Sequence, residues 1–345
     1  MFVSRSKFNF FSSFAYTTAL GFSPIYLLFP FVFLFSFLGS LRLDKSQVLL
    51  SSIILVWFFL VSLNIFGGDF STDYTMKYFL GIFLNCLFWF SGCVAPIQAF
   101  NSRWSDFFVV FIIGVDTVFR FAFPSEMVSD IYRFKENSFL FEDSNFVGFF
   151  LLFFAIFRDQ VRGAVSVKFD FLVFILLFLT FSRAALFVFC FYVLVRKISL
   201  FGLFLGGALL SIVTFGLFFF YDNFVLEIIL AGSFKINNST SILTSYFQDI
   251  SFISFLLGRG LGWSSSVTGY SAHIYFVELL VEQGIFAIAF WSLAFLLSFF
   301  TRSKGVFIFV LHFIMISFSF APIVAPYLFF FLGSLYKARN AERFL

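Results

Sequence analysis

The stretch "LLGRGLGWSSSVTGYSAHIYFVELLVEQG" (Leu256 to Gly284) gathers Arg259, His273, Glu278 and Glu282 inside an otherwise apolar chain. A guanidinium offers a planar fork of donors that matches phosphate oxygens, and glycines on both sides of Arg259 let a ligand come close to the backbone. An imidazole titrates near ~6.5, so His273 can accept a proton from a hydroxyl or donate a hydrogen bond at neutral pH. Tyr275, Glu278 and Glu282 are three and four apart and share one helical face. His273 and Glu282 are nine apart and fall on roughly opposite faces of a regular helix, so a dyad between them requires a break.

Three further places carry polar groups with chemical potential. Arg183 sits in "LTFSRAALF" between two short apolar runs, either snorkelling to an interface or positioned by the Ser-Arg-small turn. Asp116 and Arg120 are four apart and can pair; if Arg120 faces a cavity instead, it joins a phosphate cradle. Asn145 follows Glu142 and Asp143 at the start of an apolar segment, where an N-cap region is the plain reading. The plain readings of Arg259 and His273 are a loop arginine and a helix-start histidine. No Walker A motif and no HExxH occurs, and His312 lies in a separate apolar run, so neither ATP hydrolysis nor a catalytic metal is expected. Cys86, Cys93 and Cys190 sit in apolar segments and read as packing residues.

The elements that must position these residues are membrane segments. The chain is 61% hydrophobic and 12% charged, with a mean hydropathy of +1.03. A soluble domain of 345 residues cannot hide that much apolar surface. The 69 phenylalanines read as interchangeable lipid-facing residues, and the scattered basic residues form no stripe for nucleic acid. Apolar segments fall at about 8–22, 24–41, 46–66, 77–99, 105–123, 144–157, 166–182, 184–200, 201–220, 275–300, 305–321 and 323–336. Arg183 divides 166–200 into two short helices.

The expected fold is therefore an all-α polytopic membrane protein, a single integral membrane domain over 1–345. It has about twelve transmembrane helices, both termini in the cytoplasm, and two sizeable outer loops at about 124–143 and 221–274. In that layout fifteen of the 22 basic residues lie in short cytoplasmic pieces, as the positive-inside bias requires. The other seven, Lys77, Arg120, Arg133, Lys135, Arg183, Lys235 and Arg259, fall at or near the outer side.

Four stretches, in order, resemble the Wzy-type O-antigen and capsular polysaccharide polymerases, within the superfamily that includes the O-antigen ligases. They are "EDSNFVGFFLLF", "TFSRAALF", "LLGRGLGW" and "HIYFVELLVEQGIFAIAFW". The chain departs from many relatives in having Ile274 after the histidine. The resemblance implies a metal-independent, cofactor-free membrane glycosyltransferase of the bacterial inner membrane with its site facing the periplasm. Its substrates are undecaprenyl-diphosphate-linked oligosaccharides, its surroundings membrane lipid, and a chain-length regulator is a partner that can accompany it. His273 is then the catalytic residue, and Arg183, Arg259 and Arg120 bind the diphosphate. Asn145, Tyr275, Glu278 and Glu282 support the site. An O-antigen ligase, differing only in acceptor, and a transporter of lipid-linked oligosaccharides are the rival readings.

Overall fold

The computed structural model describes residues 43, 45–67, 72–94, 103–125, 133–141, 144–163, 165–196, 233–248, 250–268, 274–300, 303–318 and 325–342. Within them the chain is all-helical, with no strand. The helices are α1 (Lys45–Gly67), α2 (Thr72–Val94), α3 (Arg103–Ala122), α4 (Ser144–Arg162), α5 (Val167–Leu179) and α6 (Arg183–Val195). Then follow α7 (Ser233–Gln248), α8 (Phe252–Leu257), α9 (Trp263–Thr268), α10 (Tyr275–Phe300), α11 (Lys304–Ser317) and α12 (Pro326–Glu342). Helices α1–α6 and α10–α12 coincide with nine of the expected apolar segments; the segments 8–22, 24–41 and 201–220 lie outside the described residues. Helices α7–α9 occupy the stretch 221–274, which sequence alone reads as loop. The Ser, Thr and Asn content of α7 and α9 gives no apolar period to detect, and α8 is an apolar run of only six residues.

Local signals set the helix ends. Ser166 and Ser303 accept the amide protons of Phe169 and Val306 and cap α5 and α11. The break expected around Arg183 is present: α5 ends at Leu179, Phe181 takes φ +54°, and α6 starts afresh at Arg183.

Helix α4 is the central pillar, buried without interruption from Val147 to Asp159 and packed against α5, α6, α11 and α12. Helices α2 and α12 make the most extensive pair. Their backbones close at two glycines: a Cβ at Gly92 would overlap the Phe330 carbonyl, and one at Gly333 would stand 2.5 Å from the Trp89 oxygen. Small residues at a crossing serve helix pairing where no hydrophobic effect separates helix from solvent.

Charged side chains are found among the buried residues and large apolar ones among the exposed. Asp116, Arg120, Arg158, Asp159, Asp170, Glu278, Glu282 and His312 are buried, while Phe59, Phe107, Phe111, Phe171, Phe178, Phe187 and Leu296 are exposed. Among the described residues two helices, Ser144–Arg162 and Tyr275–Ser298, are long and apolar enough to cross a membrane.

Ion pairs fix the direction of α3–α6. At one end Asp106, near the start of α3, binds Arg158 (3.0 Å) and Arg162 (2.6 Å) at the end of α4. There Arg196, just after α6, reaches Asp170 at the start of α5 (2.7 Å) and Asp159 (3.3 Å). At the other end Ser144 donates to the Thr180 carbonyl (2.6 Å), and Arg120 meets the Leu179 carbonyl (3.4 Å). The four helices therefore alternate in direction, with the Arg183 turn and the start of α4 sharing one end.

Candidate functional site

Two polar corners emerge, each built from segments distant in sequence. The first lies where α3, α4 and the α5–α6 turn meet. Arg120 is fully buried and pairs with Asp116 at 3.0 Å. It also donates to the Phe134 carbonyl (2.7 Å), to Thr117 Oγ1 (3.4 Å) and to the Leu179 carbonyl. Asp116 in turn accepts from the Ser138 hydroxyl (2.7 Å) and the Leu140 amide (3.4 Å). This hub ties α3 to the 133–141 segment and to the α5–α6 turn. Arg120 was a candidate for the phosphate cradle. Its donors go instead to a carboxylate, a hydroxyl and two carbonyls, so it builds the corner and does not line it.

Above the hub the Thr180–Ser182 turn is gripped by α4. Ser144 bonds the Thr180 carbonyl, and Gly148 passes so near that a Cβ there would stand 3.0 Å from both Ser182 Cβ and Thr180 Oγ1. Ser182 is buried. Arg183, the next residue, is exposed at the first position of α6 and makes no ion pair with a described residue. Asn145 lies half-buried in the first turn of α4, one residue after Ser144. The start of α4 from Ser144 to Gly148 and the Thr180–Arg183 turn thus form one structural unit with an arginine at its edge.

The second corner joins α8, the Gly258–Gly262 turn and α9 to a break in α10. Gly258, Gly260 and Gly262 all have positive φ (+82°, +100°, +83°), and Gly284 within α10 has φ +76°. The break at Gly284 leaves carbonyls of the preceding turn open. The Arg259 amide donates to Val281 O (2.8 Å) and the Gly260 amide to Glu282 O (3.0 Å). The fit is close: a Cβ at Gly258 would overlap the backbone of Glu282 and Gln283, and one at Gly284 would overlap the Leu256 carbonyl. The Glu282 side chain locks the turn from the other side, accepting from the Ser264 hydroxyl, the Ser264 amide (3.2 Å) and the Gly262 amide.

Arg259 leaves this turn with its guanidinium over two rings, 5.1 Å from the Trp263 centroid and 5.9 Å from that of Tyr246, a cation–π arrangement. It also approaches the Tyr246 carbonyl (3.4 Å). Burial pushes the Tyr246 phenol above its ordinary range, and the Arg259 cation opposes that shift. The phenol donates to the Ser254 carbonyl at 2.9 Å, which fastens α7 to α8.

Tyr275, Glu278 and Glu282 do share a face, and it is turned inward, all three being buried. Tyr275 stands edge-on to Trp291 at 5.8 Å. His273 lies outside the described residues. Sequence reasoning did not find Tyr246, Trp263 and Ser264, which hold Arg259 and Glu282, nor Gln283, which accepts a hydrogen bond from Trp57 Nε1 at 2.7 Å. The aromatic flank of "GRGLGW" was the available signal for Trp263. The Trp57–Gln283 pair is 226 residues apart and leaves none. Among the described residues no three His, Cys, Asp or Glu side chains gather as a metal ion would need.

Chemically, the two corners offer rigidly mounted arginines: one exposed at a helix start, one cushioned on aromatic rings. Comparison of the sequence with protein-family models and with curated proteins gives no match.

Proposed function

We propose that this chain is a polytopic inner-membrane glycosyltransferase that polymerises undecaprenyl-diphosphate-linked oligosaccharide repeats on the periplasmic face, in O-antigen or capsule synthesis. The observation that carries this reading is the pairing of the four motif stretches. Ser144 and Gly148 pack on the Thr180–Arg183 turn, and the Gly258–Gly262 turn packs on "VEQG", so each pair presents one arginine. The burial of charged groups beside exposed phenylalanines such as Phe59, Phe107, Phe111 and Phe171 supports a membrane setting, in which intramembrane ionisable groups face the interior and serve function or pairing. Twelve crossings, cytoplasmic termini and outer placement of both corners belong to the same proposal.

In this mechanism the donor carries its own activation, because the leaving group is a lipid diphosphate. The acceptor hydroxyl oxygen bonds the anomeric carbon as the bond from that carbon to the diphosphate oxygen breaks. Arg183 and Arg259 offset the charge that develops on the leaving group. His273 orients the hydroxyl and takes its proton, a contribution of about 10²–10⁴-fold for general base catalysis. Single displacement inverts the anomeric centre. Glu282 serves by holding the turn that carries Arg259 and Ser264.

The test is a gene deletion in the native host, read by gel and by lipid extraction. The expected result is single repeats on the surface acceptor, restored to long chains by the wild-type gene and not by R183A, R259A or H273A. Long lipid-linked chains beside a bare acceptor would identify a ligase. Repeats trapped on the cytoplasmic face would identify a transporter and end the catalytic reading.

A further inference from the structure

The position of α8 and the glycine turn can be measured against the helices beside them. Two rulers are on the molecule. Gln283 is bonded to Trp57, and Trp57 is twelve residues into α1 from Lys45, or ~18 Å along the helix at ~1.5 Å per residue. Counted from the far end of α10, Gln283 lies seventeen residues from Phe300, or ~25 Å. Both α1 at Lys45 and α10 at Phe300 are inner ends in the proposed layout. Against a hydrocarbon layer of ~30 Å, Gln283 therefore sits about 5–12 Å below the outer boundary. Helix α8 and the turn touch α10 at this level: Gly258 against Glu282 and Gln283, Leu256 against Gly284, and the Arg259 and Gly260 amides on Val281 and Glu282.

We infer that Phe252–Gly262 is a re-entrant element, which dips into the outer half of the bilayer beside α10 with Phe252, Ile253 and Phe255 against lipid chains. Three observations fit that depth. Phe252 and Ile253 are 76% and 69% exposed, and Phe255 is exposed too, an apolar face for which acyl chains are the natural cover. The first half of α10, Tyr275 to Gly284, has no exposed residue, so it is sheathed by protein where a simple spanning helix would meet lipid. Irregular backbone at membrane depth must have its polar groups satisfied by protein. Here the amides of Gly258, Arg259, Gly260, Trp263 and Ser264 all have acceptors, on Ser254, Val281, Glu282, Gly260 and the Glu282 carboxylate. Arg259 is thereby held below the membrane surface, beside the chains that an anionic lipid headgroup trails. The inference rests on the membrane reading of α1 and α10, not on the proposed chemistry.

The test is a collision-accessibility measurement on nitroxide labels in full-length protein reconstituted in phospholipid vesicles. Cys86 and Cys93 are buried, so C190A alone gives a quiet background. Labels go on Ile253→Cys and Phe255→Cys, with Phe286→Cys on the exposed face of α10 as the lipid reference and Arg133→Cys, exposed in the 133–141 segment, as the aqueous one. The expected outcome is that 253 and 255 collide with oxygen in preference to a water-soluble nickel chelate, as Phe286→Cys does, at a depth of about 5–12 Å. Labels at 253 and 255 that match Arg133→Cys, while Phe286→Cys reads as lipid, would overturn the re-entrant element alone. A water-like reading at Phe286→Cys as well would overturn it together with the membrane reading.

Discussion

Gly284→Ala tests the joint between α8 and α10. The residue has φ +76° and ψ −178°, a region open to glycine and costing other residues about 1–3 kcal/mol. Its new Cβ would overlap the Leu256 carbonyl and come within 2.5 Å of the Gly258 nitrogen. Both are backbone atoms and cannot swing aside as a side chain would. Relief requires α8 to retreat, which breaks the Arg259–Val281 and Gly260–Glu282 hydrogen bonds, each worth about 0.5–1.5 kcal/mol. The sum is a loss of about 2–6 kcal/mol. At about 2 °C per kcal/mol, the midpoint of thermal unfolding falls by about 4–12 °C. The matched control is Gly114→Ala in α3, where a Cβ meets nothing within 4 Å; removing a helical glycine there raises stability by about 0.5–1 kcal/mol. Both variants are read by thermal denaturation in lipid nanodiscs. If G284A melts with the wild type while G114A rises, the break in α10 is not what seats the glycine turn, and the reasoning fails.

Three other outcomes follow from the same contacts. Asp116→Ala leaves the Arg120 cation buried without its carboxylate, at a cost of about 3–5 kcal/mol, whereas replacing both residues by leucine costs much less; a double-mutant cycle on unfolding midpoints reads the difference. Arg183→Ala leaves the midpoint within about 1 °C, because the side chain is exposed and unpaired with described carboxylates, yet abolishes chain extension in the native host; a large drop in midpoint would make Arg183 structural. Glu282→Gln keeps one acceptor oxygen and turns an amide toward donors that a carboxylate satisfied, costing about 1–3 kcal/mol, to be seen as faster proteolysis of the 252–268 segment.

Hydropathy made the nine described apolar helices legible, because each is a long run with polar punctuation. The split between α5 and α6 was legible too, since a run of that length holding Arg183 is too long for one crossing. The four-residue spacing of Asp116 and Arg120 revealed the pair. It could not reveal that the Phe134 and Leu179 carbonyls take the remaining donors, since those partners are 14 and 59 residues away. The break at Gly284 was hidden because the apolar run resumes directly after Glu282-Gln283-Gly284, and only the packing of Gly258 against it shows why a glycine stands there. Helices α7–α9 were hidden for another reason: α7 and α9 are polar, α8 is a single six-residue run, and their contacts through Tyr246, Trp263 and Glu282 are announced by no local pattern.

The two ends of the α3–α6 bundle treat arginine differently, and the difference separates scaffold from site. At the end marked by Asp106, Arg158, Arg162 and Arg196 face Asp106, Asp159 and Asp170, and every one of these guanidiniums touches a carboxylate within 3.3 Å. Such a balanced network clamps helix ends and offers a phosphate no advantage over the partners already present. Arg120 belongs to the same class, although it lies at the opposite end with the turn. Arg183 and Arg259 stand in other surroundings: one at an exposed helix start, the other against the rings of Trp263 and Tyr246. An anion meeting this protein gains nothing at the clamped residues, whereas exposed Arg183 offers it a full charge-assisted contact. Under the proposed function, substituting the clamped arginines should therefore damage the fold before it damages the chemistry.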